Sequence, residues 1–151
     1  MAGIYGNSIE SLMCPGESSP PMRVEVFVEG TPYPWHKVSG DIEGPGRWSA
    51  AIRQQTDRLP ALSGPCRLEV EFILPSDRFL GTNRYGTDLD NLLKRLLDAL
   101  KSTVLRTAPG LDGAIVELRA SKVPAGTDNK TGARILLTDA TWEWAIGGEP
   151  V

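Results

Sequence analysis

Short segments in which hydrophobic and polar residues alternate predict four β-strands. In the first segment Val24, Val26 and Val28 fall on one side of the chain and charged residues fall mostly on the other, which is the period of two expected for a half-buried strand. The second segment repeats this alternation and ends at Pro75, which has no backbone N–H to donate to a sheet. The four predicted strands cover residues 23–29, 67–74, 114–123 and 133–144.

Two amphipathic helices are predicted between these strands. The stronger one carries six leucines at helical spacing, and Thr87 or Asp88 precedes them as a candidate N-cap. The six leucines are Leu89, Leu92, Leu93, Leu96, Leu97 and Leu100. The other helix is predicted over residues 47–59, where apolar residues recur on one side, and it ends before Pro60.

The element order β-α-β-α-β-β predicts an α/β fold of the α+β type, with one mixed sheet of about four strands and two main helices packed on it. The first two strands are expected to run parallel through a right-handed crossover, and the last two are expected to form a hairpin. A chain of 151 residues suits a single domain. Because residues 1–21 lack periodic apolar positions, we expect a flexible arm there and a domain over residues 22–151.

The composition is that of a globular protein, with 40% hydrophobic and 23% charged residues. No apolar run approaches the roughly 20 residues that a bilayer span requires, and the amino terminus lacks the pattern of a signal peptide. The two cysteines, Cys14 and Cys66, are expected to be free thiols in a reducing compartment. The sequence therefore predicts a cytoplasmic protein with no membrane partner.

The charge is unevenly distributed along the chain. The net charge is -3, yet residues 78–134 contain ten basic and six acidic residues, so this part carries +4 and the remainder -7. A locally positive region suits contact with a nucleic-acid backbone. A solvated surface of mixed charge is the alternative.

The candidate chemistry is limited to carboxylates, lysines and hydroxyls. His36 is the only histidine, no cysteine pair has the spacing of a zinc site, and the glycine-rich phosphate-binding motifs are absent. Catalysis by a Ser/His/Asp or a Cys/His arrangement is therefore disfavoured.

Two aspartates flank the first leucine of the stronger helix. Because Leu89 must face the core, Asp88 and Asp90 are expected to lie outside and close together, where a divalent cation would relieve their repulsion. Mg²⁺ binds one or two carboxylates and completes its shell with water and phosphate oxygens. Lys94 lies one helical turn after Asp90, within reach of a phosphate held by such an ion.

An ion-pair ladder on a solvent-exposed helix face is the alternative for the same residues, and the spacing alone favours it. In this interpretation Asp88 is only an N-cap, and each pair stabilises the helix by a few tenths of a kcal/mol. The ladder residues are Asp90, Lys94, Asp98 and Lys101.

A third acid, Asp112, lies directly before the third predicted strand and shifts the balance towards a metal site. The intervening helix and loop are long enough to return the start of that strand to the beginning of the helix. Three aspartates together would hold one or two metal ions for in-line phosphodiester hydrolysis. The basic residues that would contact the nucleic-acid backbone are Arg78, Arg84, Arg119 and Lys122.

The stretch TDLDNLLKRLLDAL, followed by LDGAIVELRASKVP, resembles the RusA family of Holliday junction resolvases, whose pattern is DLDNLxKxxxDAL and then an aspartate before a strand ending in KxP. The earlier VEVFVEGTPYPWHK is similar to the family's first strand and Pro-rich loop. The resemblance covers residues 22–144. In two respects the chain departs from the family: Leu111 replaces one of two frequent neighbouring acids, and the connection over residues 101–110 is longer.

The resemblance implies a homodimer that nicks four-way DNA junctions in pairs, with Mg²⁺ as cofactor and Mn²⁺ as a substitute. It also implies a bacterial, phage or prophage origin and a role in DNA recombination and repair. Matched position by position, Asp88, Asp90 and Asp112 correspond to the metal-binding acids and Lys94 to the essential lysine, and these four are the expected catalytic residues.

Two other functions compete with this interpretation. A DxD tripeptide also opens the aspartate-nucleophile phosphatases, but there it follows a buried apolar strand, whereas here it follows the polar sequence NRYGT. A non-catalytic junction-binding protein of the same fold is the stronger alternative. The presence of all four matched catalytic residues counts against it.

Overall fold

The computed structural model describes residues 22–33, 43–79, 87–108, 110–127 and 130–140, with the backbone alone at residues 78, 79 and 112. The predicted arm over residues 1–21 and the end of the fourth predicted strand lie outside the described residues. The strands are β1 (Arg23–Glu29), β2 (Cys66–Leu74), β3 (Ile115–Pro124) and β4 (Gly132–Asp139), and the helices are α1 (Gly44–Thr56) and α2 (Leu89–Leu100). Short 3₁₀ turns follow β2 (Ser76–Phe79) and precede β3 (Leu111–Ala114).

The four strands form one mixed sheet in the order β1-β4-β2-β3, which confirms the predicted fold class. β4 lies antiparallel between β1 and β2, and β3 pairs in parallel with the other side of β2. Strands β1, β2 and β3 therefore point the same way. Their carboxyl ends lie at the same end of the sheet, which is called here the carboxyl edge, and the opposite end is called the amino edge. These names refer to the ends of the strands and not to the outermost strands.

The predicted hairpin between the last two strands is wrong, because β2 separates β3 from β4. The connection of residues 125–131 is long enough to pass one strand, since neighbouring strands are only about 4.8 Å apart. The burial of β3 and β4 agrees with their positions in the sheet. Ala133, Ile135 and Leu137 of β4 are buried, as a central strand demands, whereas most residues of β3 are exposed or half-buried.

Helix α1 begins three residues before its predicted start because Pro45 occupies its first turn, where a missing N–H does no harm. Trp48 and Ile52 are buried beneath it. At its end the hydroxyl of Thr56 donates to the Ile52 carbonyl (2.6 Å) and shares a hydrogen bond with Thr103 (2.9 Å). This buried polar pair ties the end of α1 to the chain that follows α2.

Helix α2 packs its leucine stripe on the sheet as predicted. Leu92, Leu96 and Leu100 are fully buried, and the other three leucines pack against the same core while partly exposed. Asp88 occupies the N-cap position, and its carbonyl accepts the hydrogen bond of the Leu92 N–H (3.1 Å). Its side chain makes no capping hydrogen bond, so the carboxylate is not used to start the helix.

Two contacts fix the direction of α2. At its start, Lys122 Nζ near the carboxyl end of β3 donates to the Thr87 carbonyl (2.6 Å). Beyond its end, the Val104 carbonyl accepts from the N–H of Leu62, four residues before β2 begins (2.8 Å). Helix α2 therefore runs from the carboxyl edge to the amino edge, antiparallel to β2 and β3.

The buried leucines are the main contribution of α2 to the stability of the fold. We expect Leu96→Ala to lower the free energy of unfolding by about 2–5 kcal/mol, because it removes a buried side chain and leaves a cavity. Urea denaturation followed by circular dichroism measures this loss. The matched control, Leu93→Ala on the half-buried side of the helix, should lose clearly less. Equal losses would contradict the burial pattern.

The thiol of Cys66 is fully buried at the start of β2. Burial raises its pKa, and the negative charge of Asp139 raises that pKa further. A Cys14→Ser variant, in which only Cys66 can react, should therefore stay unlabelled by a thiol reagent until it unfolds. The free energy of unfolding should also fall as the pH rises above the ordinary thiol range, because the unfolded chain ionises first. Rapid labelling of the folded protein would contradict both expectations.

Candidate active site

The start of α2 presents two carboxylates at the carboxyl edge. Leu89 is half-buried and packs on the core between them, whereas Asp88 and Asp90 are exposed. Asp90 Oδ1 accepts from the N–H of Asn91 (2.9 Å). The expectation that these aspartates lie outside the core is confirmed. The positive end of the helix dipole, which is found at the first turn, also favours negative charge there.

Lys94 lies one turn further along α2 and is exposed like Asp90. The spacing of four residues puts both on the same side of the helix. The alternative ladder is present one turn later, where Lys101 Nζ lies 3.1 Å from Asp98 Oδ1. This pair concerns the second half of the helix and does not decide what Asp90 and Lys94 do in the first half.

Lys122, expected to bind DNA, has a structural contact that the sequence analysis missed. Its ammonium donates to the carbonyl of Thr87, the residue before Asp88, and its side chain is half-buried. A charged donor strengthens this hydrogen bond. Lys122 therefore holds the entry of α2 against the end of β3, and it adds a positive charge next to the first aspartate. No sequence motif predicts that a lysine will bind a carbonyl 35 residues away in the chain.

Asp112 lies in the 3₁₀ turn directly before β3, as predicted. This turn bends sharply: Gly110 and Leu111 both have positive φ values (72° and 54°), and the Gly113 N–H donates to the Gly110 carbonyl (2.8 Å). A left-handed conformation costs a leucine about 1–2 kcal/mol. Such strain persists only where the surrounding structure holds it, and it is common at functional sites.

The structure does not bring Asp112 beside the other two aspartates within one chain. Ile115 pairs with Cys66 at the amino edge, whereas Thr87 meets Lys122 near the carboxyl edge. The twelve residues of α2, about 18 Å long, lie between these positions. Among the described side chains, which do not include that of Asp112, no group of three or more metal-ligating residues occurs.

The remaining predicted DNA contacts occupy different places. Arg78 belongs to the 3₁₀ turn Ser76–Phe79 after β2, so its backbone lies beside the carboxyl edge, and Arg84 lies outside the described residues. Arg119 is exposed on the sheet face that carries no helix. There it lines a shallow depression of about 270 Å³ together with Arg134 and three glutamates. These carboxylates repel a phosphate backbone, which disfavours Arg119 as a DNA contact.

The sequence analysis did not predict a second cavity, which lies at the carboxyl edge. It measures about 370 Å³, and Tyr33, Arg47 and Trp48 line it beside the end of β1. The buried indole N–H of Trp48 has no hydrogen-bond partner among the residues that the structure describes. Trp48 also packs in the core, and nothing in the spacing of these residues points to a shared cavity.

Exposed paired aspartates with a lysine one turn later, at the edge where parallel strands end, suit a protein that acts on phosphate groups. The family model described as endodeoxyribonuclease RusA matches residues 47–135. Because this match covers more than half of the chain, the protein belongs to the RusA family and is by its family a nuclease that acts on DNA. All four expected catalytic residues lie inside the match. A comparison with curated proteins finds no match, and no described helix is long and apolar enough to cross a bilayer.

Proposed function

We propose that the protein is a Mg²⁺-dependent endonuclease that resolves four-way DNA junctions by paired phosphodiester hydrolysis in recombination and repair. The observation that carries this proposal is the exposure of Asp88 and Asp90 at the carboxyl edge, with the Asp88 carboxylate not used for capping, inside the match to a DNA nuclease family. Its expected location is the cytoplasm of a bacterial cell.

The donor set at the start of α2 fits a hard divalent cation. Asp88 and Asp90 offer carboxylate oxygens, which Mg²⁺ prefers, and Mn²⁺ accepts similar ligands. When bound, the ion polarises the scissile phosphate and lowers the pKa of a bound water. Asp112 is the proposed third ligand; within one chain it lies at the opposite edge of the sheet, so it would have to come from a second copy of the chain.

The lysines have separate tasks in this proposal. Lys94, exposed one turn behind Asp90, is placed to offset the negative charge that builds up on the phosphate as it is attacked. Lys122 acts through the backbone: by holding the Thr87 carbonyl it fixes the position from which Asp88 starts the helix. Arg78 and Arg84, from the connection between β2 and α2, are the proposed contacts to the DNA backbone.

A four-way junction presents two strands to be cut at points related by a two-fold axis. A homodimer with one active site per subunit matches this symmetry, so a second copy of the chain is the proposed protein partner.

Asp88→Asn and Asp90→Asn should each slow the nicking of a synthetic four-way junction by at least about a hundredfold, because each removes a metal-ligand charge. Affinity for the junction in chelator should stay unchanged or increase, since a carboxylate that repels phosphate is gone. Gel shifts in chelator and nicking in Mg²⁺ measure the two effects.

The matched control is Asp98→Asn on the same helix, because Asp98 pairs with Lys101 and has no proposed role in cleavage. It should nick DNA as the unmodified protein does. Wild-type nicking by Asp88→Asn and Asp90→Asn would exclude these two aspartates from the active site. Junction affinity without any Mg²⁺-dependent nicking by the unmodified protein would instead indicate a non-catalytic junction-binding protein.

Lys94→Ala should weaken nicking far more than junction binding, because the proposed contact of Lys94 strengthens as charge builds up on the phosphate. Single-turnover nicking rates, compared with dissociation constants in chelator, separate the two effects. Lys101→Ala, which removes an equal charge from the other end of α2, is the control and should leave the nicking rate unchanged. Parallel losses of binding and nicking in Lys94→Ala would reduce Lys94 to a DNA contact.

A further inference from the structure

We propose that the cavity beside the end of β1 binds one unpaired nucleobase of the DNA junction. This inference rests on the proposed function and names a part of the substrate that the aspartates of α2 do not contact. The cavity is called here the base cavity. Its volume of about 370 Å³ lies in the range of roughly 300–1,000 Å³ that is usual for small-molecule sites. The lining residues include Gly30, Tyr33, Gly44, Arg47, Trp48 and Ala51.

Two glycines fix the aromatic side chains on the walls of the base cavity. A Cβ atom on Gly30 would come within 3.1 Å of the Trp48 ring, and one on Gly44 would overlap the Tyr33 ring. Gly30 also has a φ of 153°, which residues with a side chain rarely adopt. Both rings therefore pack directly against the main chain. The cavity belongs to the packed fold, as is usual for a ligand site that is largely formed in advance.

Trp48 carries a hydrogen-bond donor that the described residues do not use. The side chain lines the base cavity, the residue is 1% exposed, and its indole N–H has no hydrogen-bond partner among those residues. Buried donors in folded proteins are nearly always paired. Every base carries acceptor atoms on its edges. A base in the cavity would therefore supply the acceptor that this N–H lacks.

The base cavity lies beside the proposed active site. Helix α1 forms one of its walls and begins at the carboxyl edge, where Gly44 packs on Tyr33, four residues after β1. Arg95 of α2 binds this first turn of α1, since its Nη1 donates to Ser49 Oγ (3.1 Å) and to the Pro45 carbonyl (3.4 Å). Arg95 follows the second aspartate of α2 by five residues, about 7.5 Å along the helix axis. A DNA strand held by the aspartates therefore passes close to the cavity.

The walls of the base cavity favour a base over a phosphate group. Arg47 is the only cationic side chain among the described lining residues, and the carboxylate of Glu43 lies 3.7 Å from it. This negative charge offsets the attraction of Arg47 for a phosphate. Tyr33, Trp48 and Ala51 supply aromatic and apolar surface. Aromatic and apolar walls with a few hydrogen-bonding groups are typical of sites that hold a base outside its duplex.

The base that enters the cavity must be unpaired. A paired base is stacked in the duplex, and its pairing edge is already occupied. Removing a base from the stack costs free energy, and the cost is smallest for a base that is mismatched or single-stranded. The branch point of a four-way junction interrupts the regular stack, because the strands exchange partners there. The base cavity thus favours a branched DNA over a linear duplex.

Two junctions that differ in one base test this proposal. Both carry one extra nucleotide at the branch point, with adenine in one junction and an abasic sugar in the other. In chelator the unmodified protein should bind the adenine junction about tenfold more tightly, a factor within the usual range for one base held by aromatic side chains. Fluorescence anisotropy measures both dissociation constants. Equal affinities would overturn the proposal.

Ala51→Leu should abolish the preference for adenine and leave the affinity for the abasic junction unchanged, because it adds an isopropyl group to the cavity wall. The matched control is Ala50→Leu, the same change at the neighbouring position of α1, which does not line the cavity. This control should keep the full preference. A full preference in Ala51→Leu would overturn the proposal, because the base would then lie elsewhere.

Trp48→Phe is an independent variant that keeps an aromatic ring and removes the N–H donor. Its preference for adenine should fall severalfold, since the base loses its hydrogen bond. A cooperative thermal transition shows that this variant is folded. A folded Trp48→Phe protein with the full preference would overturn the placement of the base beside this residue.

These outcomes separate the base cavity from the proposed nuclease function, because binding in chelator does not depend on cleavage. Equal affinities for the two junctions, together with Mg²⁺-dependent nicking, overturn the base cavity and leave the nuclease intact. A preference for adenine that Ala51→Leu abolishes, without any nicking in Mg²⁺, overturns the nuclease and supports the base cavity.

Discussion

The parallel pairing of β2 with β3 is the constraint on which the rest of the molecule depends. Two parallel neighbours cannot be joined by a tight turn, so the chain must return from the carboxyl edge to the amino edge between them. Helix α2 is that return. Its direction places Asp88 and Asp90 where the strands end and places Asp112 where β3 begins. The distribution of the acids therefore follows from the direction of one pair of strands.

The rotation of α2 about its axis is decided by the leucines rather than by the charges. Each fully buried leucine contributes about 1.5–3 kcal/mol, while an ion pair at the surface, such as the half-buried Asp98 with Lys101, contributes at most about 1 kcal/mol. Burying the leucine stripe leaves the first-turn aspartates and Lys94 exposed on the outer side. The same packing that stabilises the fold thus presents the proposed catalytic groups to the solvent.

The sequence predicted the elements well because each one has a local cause: alternation in β1 and β2, the leucine spacing in α2, and proline at the end of β2. It could not predict which strands become neighbours, since pairing is decided by burial across the whole sheet. The sequence analysis predicted that β4 pairs with β3, whereas β4 lies between β1 and β2 in the structure. The apolar residues that β4 buries and the polar residues of β3 were the available signal that β4 is a central strand and β3 an outer one.

The candidate site was predictable to the same extent. The exposure of Asp88 and Asp90 follows from residues next to them in the chain, and it was predicted correctly. The approach of Asp112 was inferred from chain length, which permits a return but says nothing of its direction. The contact of Lys122 with the Thr87 carbonyl depends on tertiary packing alone. Both features that the sequence analysis missed, the position of Asp112 and the contact of Lys122, depend on how residues far apart in sequence pack together.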